Sequence, residues 1–257
     1  MSAPERFAAW LAVHEHRDRR YRHLYRYHPR SDDHSKILSA LILEDLLQEC
    51  RVLSEQAARG EVAYGINLPH LWPNGKRKTI DLAVGLPETL ASDAGDVPGI
   101  RKAAKLSQVF VSCEQKTVMT EHGKSEPRLF DELGSSHEIV HQGSAEAIAA
   151  GITVVNIAAT FISPLRQTSR GKLHVSKHKQ PQVTESMVQH LRGLHVRENV
   201  GQVGFDAYCT FVVECDNIAG ASLCVAPPAP QPGDRDHYNT FIARIARFYS
   251  ERFLSPR

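Results

Sequence analysis

Apolar residues alternate with polar ones along several stretches of the chain, and between these stretches they recur at three- and four-residue spacing. The first pattern predicts strands and the second predicts helices. Helical spacing covers residues 5–27, with Phe7, Trp10, Leu11, Leu24 and Tyr25 as apolar anchors. It resumes after Ser31 or Asp32 in KILSALILEDLLQECRVLSEQAA, where Ile37, Leu41, Leu46 and Leu53 are the buried positions and Gly60 ends the helix. VAYGINLPHLW and TIDLAVG flank Pro73-Asn74-Gly75 and read as a hairpin. Residues 86–108 read as a connection with a short helix in IRKAAKLSQ. VFVSCEQKTVM is a buried strand, RLFDELGSSHEIVH after Pro127 is a helix broken near Gly134, and Ala145–Ala150 is another short helical piece. ITVVNIAATFI and DAYCTFVVEC are further strands, with a helix around 184–194 between them and a last helix from about Tyr238 to Phe253. The expected fold class is α/β, a mixed central β-sheet flanked by helices, in one domain over residues 1–257.

VFVSCEQKTVM breaks its own pattern. Glu114 and Lys116 fall two apart in an otherwise apolar run, so both point to one face, with Phe110 and Ser112. In TIDLAVG, Ile80, Leu82 and Val84 take one face and Asp81 the other. If the two strands are neighbours, two carboxylates and a lysine converge. Close carboxylates repel unless a cation lies between them, and a hard divalent ion such as Mg²⁺ suits that position. Metal-assisted attack of water on a phosphodiester follows as the chemistry, with Lys116 orienting water or stabilising charge. The plainer reading makes Glu114 and Lys116 a surface pair on an edge strand, where lysine discourages edge pairing.

These residues resemble the PD-(D/E)XK nuclease superfamily, best known for restriction endonucleases. The resemblance spans about residues 36–163 and implies a restriction endonuclease-like core, with the C-terminal strand and helix packed on it. It implies that Asp81 and Glu114 bind Mg²⁺ (or Mn²⁺), that the main-chain carbonyl of Gln115 is a further ligand, and that Lys116 helps activate water. It also implies a glutamate on the preceding helix, for which Glu44 is the best match and Glu49 the fallback. The function implied is a Mg²⁺-dependent endodeoxyribonuclease, first of all a type II restriction endonuclease that cuts double-stranded DNA as a homodimer. A defence-effector or repair nuclease with little sequence preference is the alternative, and a non-catalytic DNA-binding protein on the same fold is another.

Composition narrows the partners. The 257 residues are 23% charged with a formal net charge of +2, so contact with DNA must come from local basic patches. The candidates are Lys124 and Arg128 after the catalytic strand, and Arg166, Arg170, Lys172, Lys177 and Lys179 in the later loop; Arg17 to Arg30 and Lys76-Arg77-Lys78 are further basic segments. His122 also follows the strand, and Ser135, Ser136, His137 and His141 could face the substrate from the next helix. No GxSxG motif supports a serine hydrolase. His137 with His141, or Cys209 with Cys215 and Cys224, would be alternative metal sites, although the cysteines match no standard zinc spacing. No apolar run is long enough for a membrane span, and no signal peptide is evident, so a cytoplasmic location is expected.

Overall fold

The computed structural model describes residues 1–17, 23–93, 95–166 and 172–254. The chain opens with α1 (Ala3–Val13), whose first turn is closed by a capping box between Ser2 and Glu5. Two short strands, β1 (His16–Arg17) and β2 (Leu24–Tyr25), stand where a continuous helix over 5–27 is expected. The next helix divides at Cys50 into α2 (Asp33–Glu49) and α3 (Arg51–Ala58). The expected hairpin is present as β3 (Ala63–Leu71) and β4 (Arg77–Leu90), with Gly75 at φ +79° in its turn. β5 runs from Arg101 to Val118, so IRKAAKLSQ is strand rather than helix.

α4 (His122–Gly143) is continuous through Pro127 and Gly134. Ala145–Ala150, expected as helix, forms none, and its last three residues already belong to β6 (Ile148–Asn156), which is followed by β7 (Thr160–Ile162) and β8 (Val175–Lys177). The remaining elements are α5 (Gln182–Leu191), β9 (Ala207–Cys215), β10 (Ala221–Cys224) and α6 (Tyr238–Phe253).

Six strands form one mixed sheet. β5, β6 and β9 are parallel neighbours, β10 closes one side antiparallel to β9, and β4 lies antiparallel to both β5 and β3. Every residue of β6 is buried, which is the mark of a parallel strand covered on both faces. One face packs on α1, α2, α3 and α6 through residues such as Phe7, Leu43, Val111, Cys113, Phe241 and Tyr249. The other packs on α4 and α5 through Val109, Leu129, Leu133, Ala149, Met187 and Leu191. The architecture is therefore α/β, a central mixed six-stranded sheet flanked by helices. Among the described residues no helix is long and apolar enough to cross a membrane.

A shift of face in the hairpin positions the site. Leu82 and Val84 belong to the first core, but Ile80 belongs to the second, together with Ala83 and Leu68. The expectation that Ile80, Leu82 and Val84 share a face is thus corrected. Ile66 pairs with Leu82 and Leu68 with Ile80, and between them Asn67 takes a left-handed φ of +51°. Both strands change face together there, and Asp81 stands at the change.

Candidate active site

Asp81 and the Glu114–Lys116 segment meet as the sequence predicts. Leu82 pairs with Cys113 across β4 and β5, and one step further the main-chain N–H of Gln115 donates to Asp81 Oδ2 at 2.7 Å. Ser39, nearly two turns into α2, donates to the carbonyl of Asp81 at 3.0 Å and accepts from Gln115 Nε2 at 2.6 Å, tying the two strands from the first face. The other face is charged. Glu114, 9% exposed, receives Lys116 Nζ on Oε1 at 2.8 Å and Lys78 Nζ on Oε2 at 2.8 Å. Lys116 also reaches Glu132 of α4 at 3.0 Å, Glu132 takes Arg128 at 2.5 Å, and Ser136 contacts both Lys78 and Glu114.

The electrostatics follow from this packing. Burial, and then the negative charge of Glu114, push the Asp81 carboxyl up to about 6, against the Gln115 N–H and the two lysines. Burial also pushes Glu114 upward, but Lys78 and Lys116 outweigh it and hold that carboxyl below its ordinary range. Lys116 loses some basicity to burial and regains more from Glu114 and Glu132, so it stays protonated well past neutrality. Two neighbouring carboxylates thus differ in character, one readily protonated and one firmly ionised, which is common where proton chemistry or cation binding takes place.

The donor set suits a hard cation. Asp81, Glu114 and the Gln115 main-chain carbonyl are all oxygen donors, while the Gln115 side chain turns to Ser39 on the first face. No three His, Cys, Asp or Glu side chains converge anywhere among those residues. A cation held here would take two carboxylates and fill its shell with carbonyl oxygen and water, which is how Mg²⁺ binds.

Other expected residues lie elsewhere. Glu44 pairs with Arg6 of α1 and does not reach the site. It sits five residues beyond Ser39, about 140° around the helix. Glu49 is exposed at the last position of α2. His137 is buried against Phe205, and burial together with His141 lowers its pKa to about 4. His141 is held by Asp206 at 3.0 Å, so the histidine pair is structural. Cys209, Cys215 and Cys224 are free thiols; the first two lie at opposite ends of β9, too far apart for one metal. Lys124 and Arg166 both pair with Glu121 at 2.7 Å, Lys172, Lys177 and Lys179 are exposed, and Arg170 lies outside the described residues.

Sequence reasoning missed Lys78, Glu132 and Ser39. Lys78 reads as one of three basic turn residues, and only the face change at Asp81 turns it inward toward Glu114. Lys78 also lines an open groove of about 560 Å³ with His70, Arg77 and Lys105, so the carboxylates border a basic surface. No family model matches this chain, and neither the curated proteins nor the solved structures contain a match to it.

Proposed function

We propose that the chain is a Mg²⁺-dependent endodeoxyribonuclease with a restriction endonuclease-like core, acting on double-stranded DNA. The observation that carries this reading is the hydrogen bond from the Gln115 N–H to Asp81, which holds two carboxylates and Lys116 in one patch beside a basic groove. Asp81, Glu114 and the Gln115 carbonyl would hold the ion. When bound, Mg²⁺ supplies polarisation of a phosphoryl oxygen and a more acidic water. Lys116, aimed by Glu114 and Glu132, presents an ammonium that orients the attacking water and offsets charge developing on the phosphate. Lys78 adds a second ammonium on the groove side. A homodimer would set one such site on each strand of a palindromic target, as the site-specific restriction subtype requires.

Plasmid DNA incubated with Mg²⁺ should give discrete fragments, and these should vanish with EDTA and with Asp81→Ala. A smear would move the reading to a nuclease without sequence preference. Failure to cut any DNA or RNA, methylated or not, would overturn it. One observation favours a second reading. Lys78 and Lys116 already satisfy both oxygens of Glu114, as they would in a non-catalytic DNA-binding protein that retains the sheet. Duplex binding that is indifferent to Mg²⁺, with no cleavage, would select that reading.

A further inference from the structure

A second concave surface lies beyond the end of β5, where α4 starts against the β7–β8 hairpin. This cleft, of about 630 Å³, is lined by Lys124, Arg166, Lys177 and Lys179, with Glu121 as its one carboxylate. Gly123 also lines it, and a Cβ added there would meet nothing within 4 Å, so the backbone is open to a close approach. α4 enters through Glu121 at φ +56° with no side-chain cap, so the first N–H groups of a 22-residue helix face a basic cleft. Independently, Ser176 on β8 lines the same cleft at 8% exposure, and its hydroxyl has no hydrogen-bond partner among the described residues. A buried unpaired hydroxyl destabilises the fold unless a ligand uses it.

We infer that this cleft binds a backbone phosphate of duplex DNA away from the cut, through the start of α4, the Ser176 hydroxyl, Lys177 and Lys179. The inference rests on the nuclease reading. Lys177 and Lys179 are exposed and make no ion pair among the described residues. Lys124 and Arg166 are held by Glu121, whose carboxylate occupies the cations that a phosphate would otherwise take. Glu132, which holds Lys116, lies ten residues along α4 from His122. At 1.5 Å per residue these two positions are about 15 Å apart along the axis of α4, or roughly four base-pair steps at 3.4 Å each. One duplex can therefore reach both.

The test is fluorescence anisotropy of a labelled duplex in EDTA, titrated with salt, so that no cleavage intervenes. Lys177→Ala/Lys179→Ala should weaken binding tenfold or more near 0.1 M salt and lower the slope of log K against log salt by about 1–2. Ser176→Ala should weaken binding severalfold with the Tm unchanged or raised. Glu121→Gln should tighten binding severalfold, a gain that misfolding does not produce. Wild-type affinity and slope in all three variants would overturn the inference while plasmid cleavage kept the nuclease reading intact. Binding of a mononucleotide but not of duplex would overturn it as well. Absence of both duplex binding and cleavage in the wild type would bring down both.

Discussion

Asp81→Asn should make the protein more stable while abolishing the proposed cleavage. Burial and the neighbouring Glu114 raise the Asp81 pKa from 3.8 to about 6. A carboxyl whose pKa is higher in the folded state holds its proton more tightly there, so stability is lost as pH rises from about 4 through 6. At about 1.4 kcal/mol per pKa unit the ionised carboxylate costs the fold roughly 2–3 kcal/mol at pH 8. Asparagine removes the charge and keeps an oxygen to accept the Gln115 N–H. The expected gain in EDTA at pH 8 is about 1–3 kcal/mol, or roughly 2–10 °C in Tm for a chain of this size, and it should fade toward pH 4. Urea unfolding at several pH values measures it directly. Adding Mg²⁺ should raise the Tm of the wild type and leave the variant unmoved. A variant less stable than wild type at pH 8, or one offset equally at every pH, would refute the argument. A charge kept at a cost in stability is what the proposed active site would require.

The other expectations are shorter. Lys116→Met should cut single-turnover cleavage by about 10²–10⁴-fold with an unchanged circular dichroism spectrum, because it removes the ammonium between Glu114 and Glu132. Lys78→Met should tighten Mg²⁺, read as a larger Tm shift per unit of added metal, because it frees Glu114 Oε2. Glu44→Ala should leave cleavage within about twofold and cost up to about 1 kcal/mol, since its partner is Arg6 at a half-exposed position. Asp206→Asn should lower stability by about 3–5 kcal/mol in urea, leaving Arg197, 1% exposed at its side chain, without its counter-charge. Burial pushes the Asp206 carboxyl up, but His141, Arg197 and Arg252 pull it down to about 2. Its contribution is therefore present above about pH 4 and lost as pH falls toward 2, a loss the asparagine variant should not show.

Where the hydrophobic period was intact, the elements were legible. The hairpin, β9 and α6 lie where the sequence predicts them, because turn chemistry and apolar spacing agree there. IRKAAKLSQ misleads for a physical reason. Its buried residues Ile100, Ala103 and Leu106 recur every third position, and alanine and lysine favour helices. The facing strand accounts for this: β4 and β5 shift register at Val84/Gly85, Leu86/Pro87, Pro87/Thr89 and Thr89/Leu90. Each bulge inserts a residue and breaks the two-residue period. The long interval from Asp81 to Glu114, expected as a looped-out connection, is instead an extension of the same two strands. Glu44 fails for a different reason, since a helix offers several faces and Arg6, distant in sequence, decides which one the glutamate takes.

The site shows what alternation alone can and cannot say. Period two puts Glu114 and Lys116 on one face, and the pair is there at 2.8 Å. It cannot supply the neighbours that set their charge, because those come from β4 and α4. Glu114 is flanked by two ammoniums, Glu132 by Lys116 and Arg128, while among the described residues Asp81 has only a main-chain N–H as its direct partner. The negative charge left uncompensated is therefore Asp81, and that is where an added cation gains most. Lys78 is the ammonium best placed to yield, since its other partner is the neutral Ser136, whereas Lys116 is held by two carboxylates. Under the proposed function, the local charge balance would thus separate the two lysines into one that gives way to a metal and one that remains beside the phosphate.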